Sequence, residues 1–222
     1  NDASRNNAIL LYNNINTWKF DYTANGGELK NFSSLFYWDV TNRPSDVSGF
    51  NFDINNWDVS EVTNMQNMFK ETNSFNQDIG SWDVSGVTSM DSMFEDASFN
   101  QDIGSWDVSK VRLMNNMFKN SKFNNNGSPT INNWIVSNVD IMDNMFGGAS
   151  IFNQPIGNWD VDKVTTMNSM FSGASAFNQD ISGWNVSNVV DMNNMFKDTS
   201  FNQDIGNWDV DKVTTMNSMF SG

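Results

Sequence analysis

The sequence predicts an α/β repeat solenoid, and two observations lead to that fold class. A unit of 24 or 25 residues recurs seven times, with one longer step of 29 residues. All 14 methionines lie in seven copies of M-x-x-M-F, from residues 65–69 to residues 216–220. A regular period of this length is typical of stacked repeats that share one continuous core. The units begin at Phe50, Phe75, Phe99, Phe123, Phe152, Phe177 and Phe201.

Each unit divides into one short strand, an extended stretch and a short helical or 3-10 turn. In the second unit the apolar side chains lie at offsets 0, 3, 5 and 8: Ile79, Trp82, Val84 and Val87. This pattern, I-x-x-W-x-V-x-x-V, is leucine-rich-repeat-like. Trp82 and Val84 share one face of a strand, and Asp83 points to the other face. The M-x-x-M-F offsets of 0, 3 and 4 favour a helical turn that follows the extended stretch.

The predicted organisation is one continuous domain. Residues 1–49 form an N-terminal cap with a degenerate repeat, because the apolar residues of 29–36 reproduce the spacing of the methionine motif. Residues 50–222 form the seven-repeat solenoid, continuous with the cap and with its last repeat truncated. We expect the native polypeptide to continue past Gly222, because an open solenoid end exposes its core. Residues 125–130, which cause the longer step, are predicted to form a surface loop.

Several recurring residues have structural interpretations. Trp, Met and Phe recur with apolar neighbours and are predicted to form the core. The Asn after each first Phe is predicted to form an inward ladder that bonds turn backbone, with ligand binding as the alternative. The Gly after Ile is predicted to supply a bulge or a close approach. The asparagines are Asn76, Asn100, Asn124, Asn153, Asn178 and Asn202, and the glycines are Gly80, Gly104, Gly157 and Gly206.

Composition excludes several classes of chemistry. The chain has no Cys and no His, so thiolate metal sites, disulfides, His-ligated metals and Ser-His-Asp triads are excluded. The formal net charge of −14 argues against binding to nucleic acid and to anionic lipid. The sequence has no apolar run long enough to span a membrane, and its start lacks a signal-peptide layout. We therefore expect no direct membrane insertion and no cofactor.

The candidate contact surface is a row of aspartates that follow the repeated Trp. By strand alternation they project opposite the core, on the face that binds partners in leucine-rich repeats. Carboxylates spaced about 4.8 Å apart raise one another's pKa unless cations or backbone donors compensate. The alternative is local, because each Asp can accept the N–H two residues on as an Asx turn. The row comprises Asp58, Asp83, Asp107, Asp160 and Asp209.

A second row of aspartates precedes the Ile-Gly pair and is interpreted as solvated turn polarity. Neither row matches a known Ca²⁺ loop, so repeat-based Ca²⁺ binding stays an alternative without a motif. Every repeat carries the same carboxylates, whereas catalysis needs one pair in unlike environments, so we expect no enzyme. The second row comprises Asp78, Asp102, Asp180 and Asp204.

The units F-N-Q-D-I-G-x-W-D-V-S-x-V-T-x-M-x-x-M-F-x-x-A-S resemble the bacterial surface protein twenty-six-residue repeat. That family is also known as a Mycoplasma-type domain of unknown function and is grouped with BspA-like leucine-rich repeats. The resemblance covers residues 50–222, although Ile135 and Asn185 depart from the Asp position. It implies surface-exposed or secreted proteins with roles in adhesion and interaction, and no family-wide catalytic residues.

The predicted function is therefore a non-enzymatic, extracellular or cell-surface repeat protein that acts in adhesion or protein interaction. Its expected partner is a protein or other cell-surface ligand, and the sharper hypothesis is a basic partner on the acidic concave face. One alternative is a structural spacer or end-to-end assembling subunit of an extracellular fibre or layer. The other alternative is repeat-based Ca²⁺ binding.

Overall fold

The computed structural model of the protein describes residues 30–36 and 49–222. Two 3-10 helices lie wholly within this part of the chain, Asn125–Gly127 and Pro129–Asn133. Both occur in the predicted insertion loop and the residues just after it. The described residues contain no α-helix, and their β-structure consists of single-residue bridges. The regular structure of these residues therefore comes from contacts between repeats rather than from long helices or strands.

A column of parallel β-bridges joins each repeat to the next. Every bridge uses the residue just before the M-x-x-M-F motif or its N-terminal equivalent, for example Asn64 with Ser89 and Ser89 with Leu113. The column runs from Asn31 to Thr215 and advances one repeat at each step. The repeats are therefore stacked in chain order with their backbones parallel.

The M-x-x-M-F segment consists of successive tight turns rather than the predicted helical or 3-10 turn. In the second repeat, the amide of Met93 bonds the carbonyl of Met90 at 3.1 Å. The third residue of this turn, Ser92, has a φ of 53°, and the next turn has its own positive φ of 56° at Asp96. A positive φ at that place is the geometry of a type II turn and is incompatible with a right-handed helix.

These turns direct alternate amides towards the neighbouring repeat. The amides of Ser92 and Phe94 bond the carbonyls of Asn115 and Met117, each at 2.9 Å. A helix would instead turn every amide towards its own chain. The methionine segment is therefore the main backbone connection between repeats, and the side-chain offsets still bury both Met and Phe.

In the Trp segment, the side chains alternate between buried and exposed as predicted, but the backbone does not form the predicted strand. Trp82 and Val84 are buried and Asp83 is exposed, as the alternation predicts. The backbone makes two local turn bonds here, and the described residues show no bridge at this place. The indole Nε1 of Trp82 instead donates to the carbonyl of Ile54 in the preceding repeat at 3.2 Å. The same bond recurs in every later repeat, for example from Trp106 to Ile79 at 3.1 Å.

Stacked phenylalanines fill the core, which confirms the predicted role of Phe. Phe94 of the methionine motif stacks on Phe118 of the next repeat at 5.7 Å and on Phe99 at 4.3 Å. The first phenylalanines of the repeats form a second column, with Phe99 and Phe123 at 6.3 Å. The methionines are buried as well, except Met216, which is exposed.

The predicted asparagine ladder exists, but it lies along the surface rather than inside. The Oδ1 of Asn76 accepts the amide of Asn100 at 2.7 Å, and the Oδ1 of Asn100 accepts the amide of Asn124 at 2.7 Å. Gln101 adds a bond from its side-chain amide to the carbonyl of Asn76 at 3.0 Å. Asn76 is exposed, because the large Phe before it occupies the inward direction. The F-N-Q motif therefore sets the register of neighbouring repeats from outside.

The glycines after Ile allow close approach of the next repeat, as predicted. A Cβ on Gly80 would lie 2.6 Å from the carbonyl oxygen of Asp102, and one on Gly157 would lie 2.7 Å from that of Asp180. Those distances are shorter than van der Waals contact, so only glycine fits at these two places.

The predicted N-terminal cap lies mostly outside the described residues. Within residues 30–36, the amides of Phe32, Ser34 and Phe36 donate to carbonyls of the first full repeat, as the methionine turns do. The cap and domain boundaries stay predictions. The leucine-rich-repeat-like α/β class also stays a prediction, because residues 30–36 and 49–222 show the stacking but neither the α-helices nor the sheet of that class.

Candidate interaction surface

The aspartates after the repeated Trp form an exposed row, called the acidic row from here on. Each lies between a buried Trp and a residue that is buried in all but the last repeat. The core side chains therefore fix the outward direction of the carboxylate. The acidic row comprises Asp58, Asp83, Asp107, Asp160 and Asp209.

Each carboxylate of the acidic row is held by its own backbone. The Oδ1 of Asp83 accepts the amide of Ser85 at 3.0 Å, and that of Asp107 accepts the amide of Ser109 at 3.0 Å. Asp160 and Asp209 accept the amides two residues on at 3.1 Å. This is the Asx turn given above as the local alternative. It orients the side chain and leaves the carboxylate with further acceptor capacity.

At two positions of the acidic row, the Asx turns also favour the ionised form of the carboxylate. Hydrogen bonds from the hydroxyl and amide of Ser85 hold the pKa of Asp83 below its ordinary value, and those of Ser109 do the same for the pKa of Asp107. The charge of Lys110 lowers both further, and the charge of Asp83 opposes the effect at Asp107. At Asp107 the backbone and hydroxyl donors of Ser109 therefore outweigh the repulsion from Asp83.

Two repeats replace the Asp, and their side chains keep the same place. Asn185 is exposed and its Oδ1 accepts the amide of Ser187 at 3.2 Å, so an amide maintains the Asx turn without the charge. Ile135 is 60% exposed, the highest value among the exposed large apolar side chains of the described residues. It lies in the order of the repeats between Asp107 and Asp160.

The second row of aspartates forms Asx turns as well. The Oδ1 atoms of Asp78 and Asp102 accept the amides of Gly80 and Gly104, both at 2.9 Å. Hydrogen bonds from the amide and then the hydroxyl of Ser182 lower the pKa of Asp180. These aspartates therefore shape the turn before Trp, in agreement with their interpretation as turn polarity.

A buried ion pair links three repeats and was not predicted. Glu95 bonds Lys70 at 2.7 Å and lies 3.6 Å from Lys119, and its side chain is 10% exposed. Burial would raise the pKa of Glu95, but the bonds from Lys70 and Ser92 and the two lysine charges lower it. The available signal was the alternation of Lys, Glu and Lys directly after M-x-x-M-F in three successive repeats.

Beside this pair, a half-buried carboxylate is held without a cation. Asp91 accepts the side-chain amides of Gln66 at 2.9 Å and Asn115 at 2.6 Å, one from each neighbouring repeat. Burial raises the pKa of Asp91, and the charge of Glu95 adds to the rise, against the hydrogen bonds that favour the ionised form. The position equivalent to Asp91 is Gln or Asn in several other repeats, so the repeat pattern did not indicate that a charged group would be held here.

The described residues hold no group of three or more His, Cys, Asp or Glu arranged to bind a metal ion. Within the same residues, no helix is long and apolar enough to cross a membrane.

The repeats match one protein family. The family model described as Mycoplasma protein of unknown function, DUF285, matches residues 31–129 and residues 121–222. No curated protein and no solved structure matches the chain significantly. The two matched segments together cover the described repeats from the first bridge to the last residue. The chain belongs to the DUF285 family, the Mycoplasma-type domain of unknown function.

Proposed function

We propose that the protein is a non-enzymatic, surface-exposed or secreted repeat protein whose acidic row binds partner proteins. The supporting observation is that five exposed carboxylates recur at equivalent places in seven stacked repeats. The BspA-like leucine-rich-repeat grouping implied by the motifs, with its roles in adhesion, supports the same function. A solvated row of one sign attracts an oppositely charged partner and contributes specificity more than raw affinity.

The spacing of the repeats favours an extended basic polypeptide as the partner. Next to the acidic row, the rings of Trp57 and Trp82 are 6.5 Å apart and those of Trp134 and Trp159 are 6.1 Å apart. These distances between ring centroids exceed the spacing of about 4.8 Å expected between paired strands, and the described residues show no bridge in the Trp segments. In an extended chain, alternate side chains on one face are spaced by roughly 6.6 Å. A partner that runs along the row can therefore set every second side chain against one repeat.

Ile135 places an exposed apolar side chain between Asp107 and Asp160 in the order of the repeats. Buried apolar anchors surrounded by polar contacts carry much of the energy in protein interfaces. We therefore expect a partner with basic side chains opposite Asp107 and Asp160 and an apolar side chain opposite Ile135.

Substitution of Asp83, Asp107 and Asp160 by Asn tests the proposal. Asn185 supports the fold of the variant, because it keeps the Asx turn. Three exposed pairs at about 0.5 kcal/mol each amount to about a tenfold loss of affinity. The probe is an immobilised peptide Lys-Thr-Lys-Thr-Leu-Thr-Lys-Thr-Lys, measured by surface plasmon resonance at low and high salt.

The matched control removes three charges from the second row instead. Asp78, Asp180 and Asp204 also accept backbone amides through Oδ1, so their substitution by Asn leaves the same net charge as the test variant. The control should keep most of the affinity. Equal losses in the two variants would mean that only net charge matters, and the acidic row would be rejected as the contact.

A structural spacer or an assembling subunit of an extracellular fibre or layer is the second candidate. The observation in its favour is that ladders of Phe, Trp and Asn lock the register of every described repeat to its neighbours. The molar mass measured by light scattering at several protein concentrations distinguishes the assembling role from the binding role. Mass that grows with concentration favours assembly, whereas a constant monomer mass favours the binding role.

A further inference from the structure

A polar groove of about 630 Å³ lies beside the insertion loop and crosses three repeats. One repeat contributes Asp78 and Ser81 to its lining, and the next contributes Asp102. The insertion repeat contributes Asn126 and Asn133. The insertion of residues 125–130 occurs in one repeat alone, so this groove breaks the periodicity of the surface.

The wall of the groove is held rigidly by a buried side chain. Asn125 is fully buried, and its Oδ1 accepts the amide of Ile103 at 2.9 Å. Its Nδ2 donates to the carbonyl of Ser128 at 2.8 Å and lies 3.1 Å from the Thr130 hydroxyl. The Thr130 hydroxyl in turn donates to Asp102 at 2.8 Å. A wall fixed in this way needs little ordering when a ligand binds.

The floor of the groove is glycine backbone. A Cβ on Gly80 would meet the Asp102 carbonyl, and a Cβ on Gly104 would meet Thr130. The absence of a Cβ at these two positions therefore lets the next repeat pack closely against the floor of the groove.

The chemistry of the lining restricts the ligand. The described residues that line the groove are Gly, Ser, Thr, Asn, Gln and Asp, without a basic or a hydrocarbon side chain. Burial would raise the pKa of Asp102, but bonds from Gly104, Thr130, Ser128 and Asn125 lower it, so the carboxylate accepts hydrogen bonds at neutral pH. The lining carboxylates repel anions, and the two of them fall short of the three-residue groups that would hold a metal.

We propose that this groove binds a neutral saccharide, whose hydroxyls donate to Asp78 and Asp102 and accept from the side-chain amides of Asn126 and Asn133. The volume lies within the range of roughly 300–1,000 Å³ found for small-molecule sites. Carboxylate, amide and hydroxyl groups together complement a ligand that is both donor and acceptor at every position. The site is separate from the acidic row and does not depend on the proposed peptide contact.

The experiment combines a printed array of neutral hexose and N-acetylhexosamine oligosaccharides with NMR. The oligosaccharide retained best is titrated into ¹⁵N-labelled protein. Its addition should shift the amides of Gly80, Gly104 and Asn126. The double variant Asp78→Asn with Asn133→Ala should weaken binding by about tenfold or more.

The matched control changes the equivalent positions in repeats that lack the insertion of residues 125–130. Asp180→Asn with Asn158→Ala makes the same chemical changes outside the groove and should leave the affinity unchanged. Substitution of the acidic row should also leave the saccharide shifts unchanged, so failure of the peptide contact and failure of this site are distinguishable.

Several results would overturn the saccharide site: no oligosaccharide retained, shifts confined to other regions, or equal losses in the two double variants. The last titration adds calcium chloride alone, without an oligosaccharide. If it produced the same amide shifts, the groove would be a cation site and the saccharide assignment would be wrong.

Discussion

At the scale of single residues, the backbone depends on left-handed positions that recur every repeat. The third residue of each methionine turn has positive φ, with Asn, Ser, Asp or Gly at nearly all of these places. Asn, Asp and Gly enter this region at low cost, whereas a β-branched residue does not. The abundance of Asn in the chain thus has two causes, the turn positions and the surface ladder.

Asn194 tests this requirement, because its φ is 55° and the described hydrogen bonds do not involve its side chain. Asn194→Val should lower the free energy of unfolding by about 1–2 kcal/mol, whereas Asn194→Gly should leave it nearly unchanged. Urea unfolding measures both. The control is Asn207→Val at an exposed position without positive φ, and an equal loss there would contradict the left-handed requirement.

The contributions of the neighbouring carboxylates Asp91 and Glu95 to the free energy of unfolding should change with pH in opposite directions. The pKa of Glu95 is lowered in the fold, so its stabilisation is present above the ordinary Glu pKa and disappears as pH falls through the lowered value. The pKa of Asp91 is raised, so its stabilisation is present below the ordinary Asp pKa and disappears as pH rises through the raised value.

At pH 7, Glu95→Gln should therefore lower the free energy of unfolding, by about 1–2 kcal/mol for a charged hydrogen bond. Asp91→Asn should raise it, and both differences should shrink in acid. Urea unfolding of the two variants across pH 3 to 7 is the measurement. Differences of the same sign at neutral pH would show that the local hydrogen bonds, rather than protonation, dominate here.

At the scale of the repeat, the sequence predicted which side chains are buried but not how the backbone connects them. Offsets of 0, 3 and 4 are shared by a helical turn and by successive tight turns, so Met90, Met93 and Phe94 point inward in either case. The distinguishing signal was present, because Asn, Ser and Asp at Ser92 and Asp96 and their equivalents favour turns over helix interiors. The exposure of the acidic row follows from alternation, because alternation needs an extended chain and not a paired strand, and its role in partner binding stays a prediction.

The groove and the buried ion pair could not be predicted in the same way. Both depend on which side chains of different repeats meet, so the Lys, Glu, Lys alternation becomes a signal only when three successive repeats are compared. Asn125 looked like part of a loop, yet the fold buries it completely beneath the insertion.

Loss of one ring from the phenylalanine columns should destabilise the stack strongly. Phe118 is fully buried and stacks on Phe94, Phe123 and Phe146 at 3.8–5.7 Å. Phe118→Ala should cost about 3–5 kcal/mol in urea unfolding. Phe52→Ala, at a ring that is 39% exposed, should cost less than about 1 kcal/mol. A small effect at Phe118 would mean that the columns are not the source of stability.

At the scale of the whole molecule, the repeats make a surface in which each kind of side chain recurs at a fixed step. The net charge of −14 is therefore not diffuse, since part of it lies along one exposed row with neutral or apolar breaks at Asn185 and Ile135. Contacts made mainly between neighbouring repeats allow such a row to vary from one repeat to the next without changes to the core. Selectivity for a partner can thus be encoded one repeat at a time.

The central claim is that each repeat of the acidic row reads one side chain of an extended basic partner. The most direct measurement compares the peptides Lys-Thr-Lys-Thr-X-Thr-Lys-Thr-Lys, with Leu or Lys at X, for binding to the natural chain and to Ile135→Asp. The natural chain should bind the Leu peptide more tightly, and Ile135→Asp should reverse that order. An order that is the same for both proteins would contradict the account.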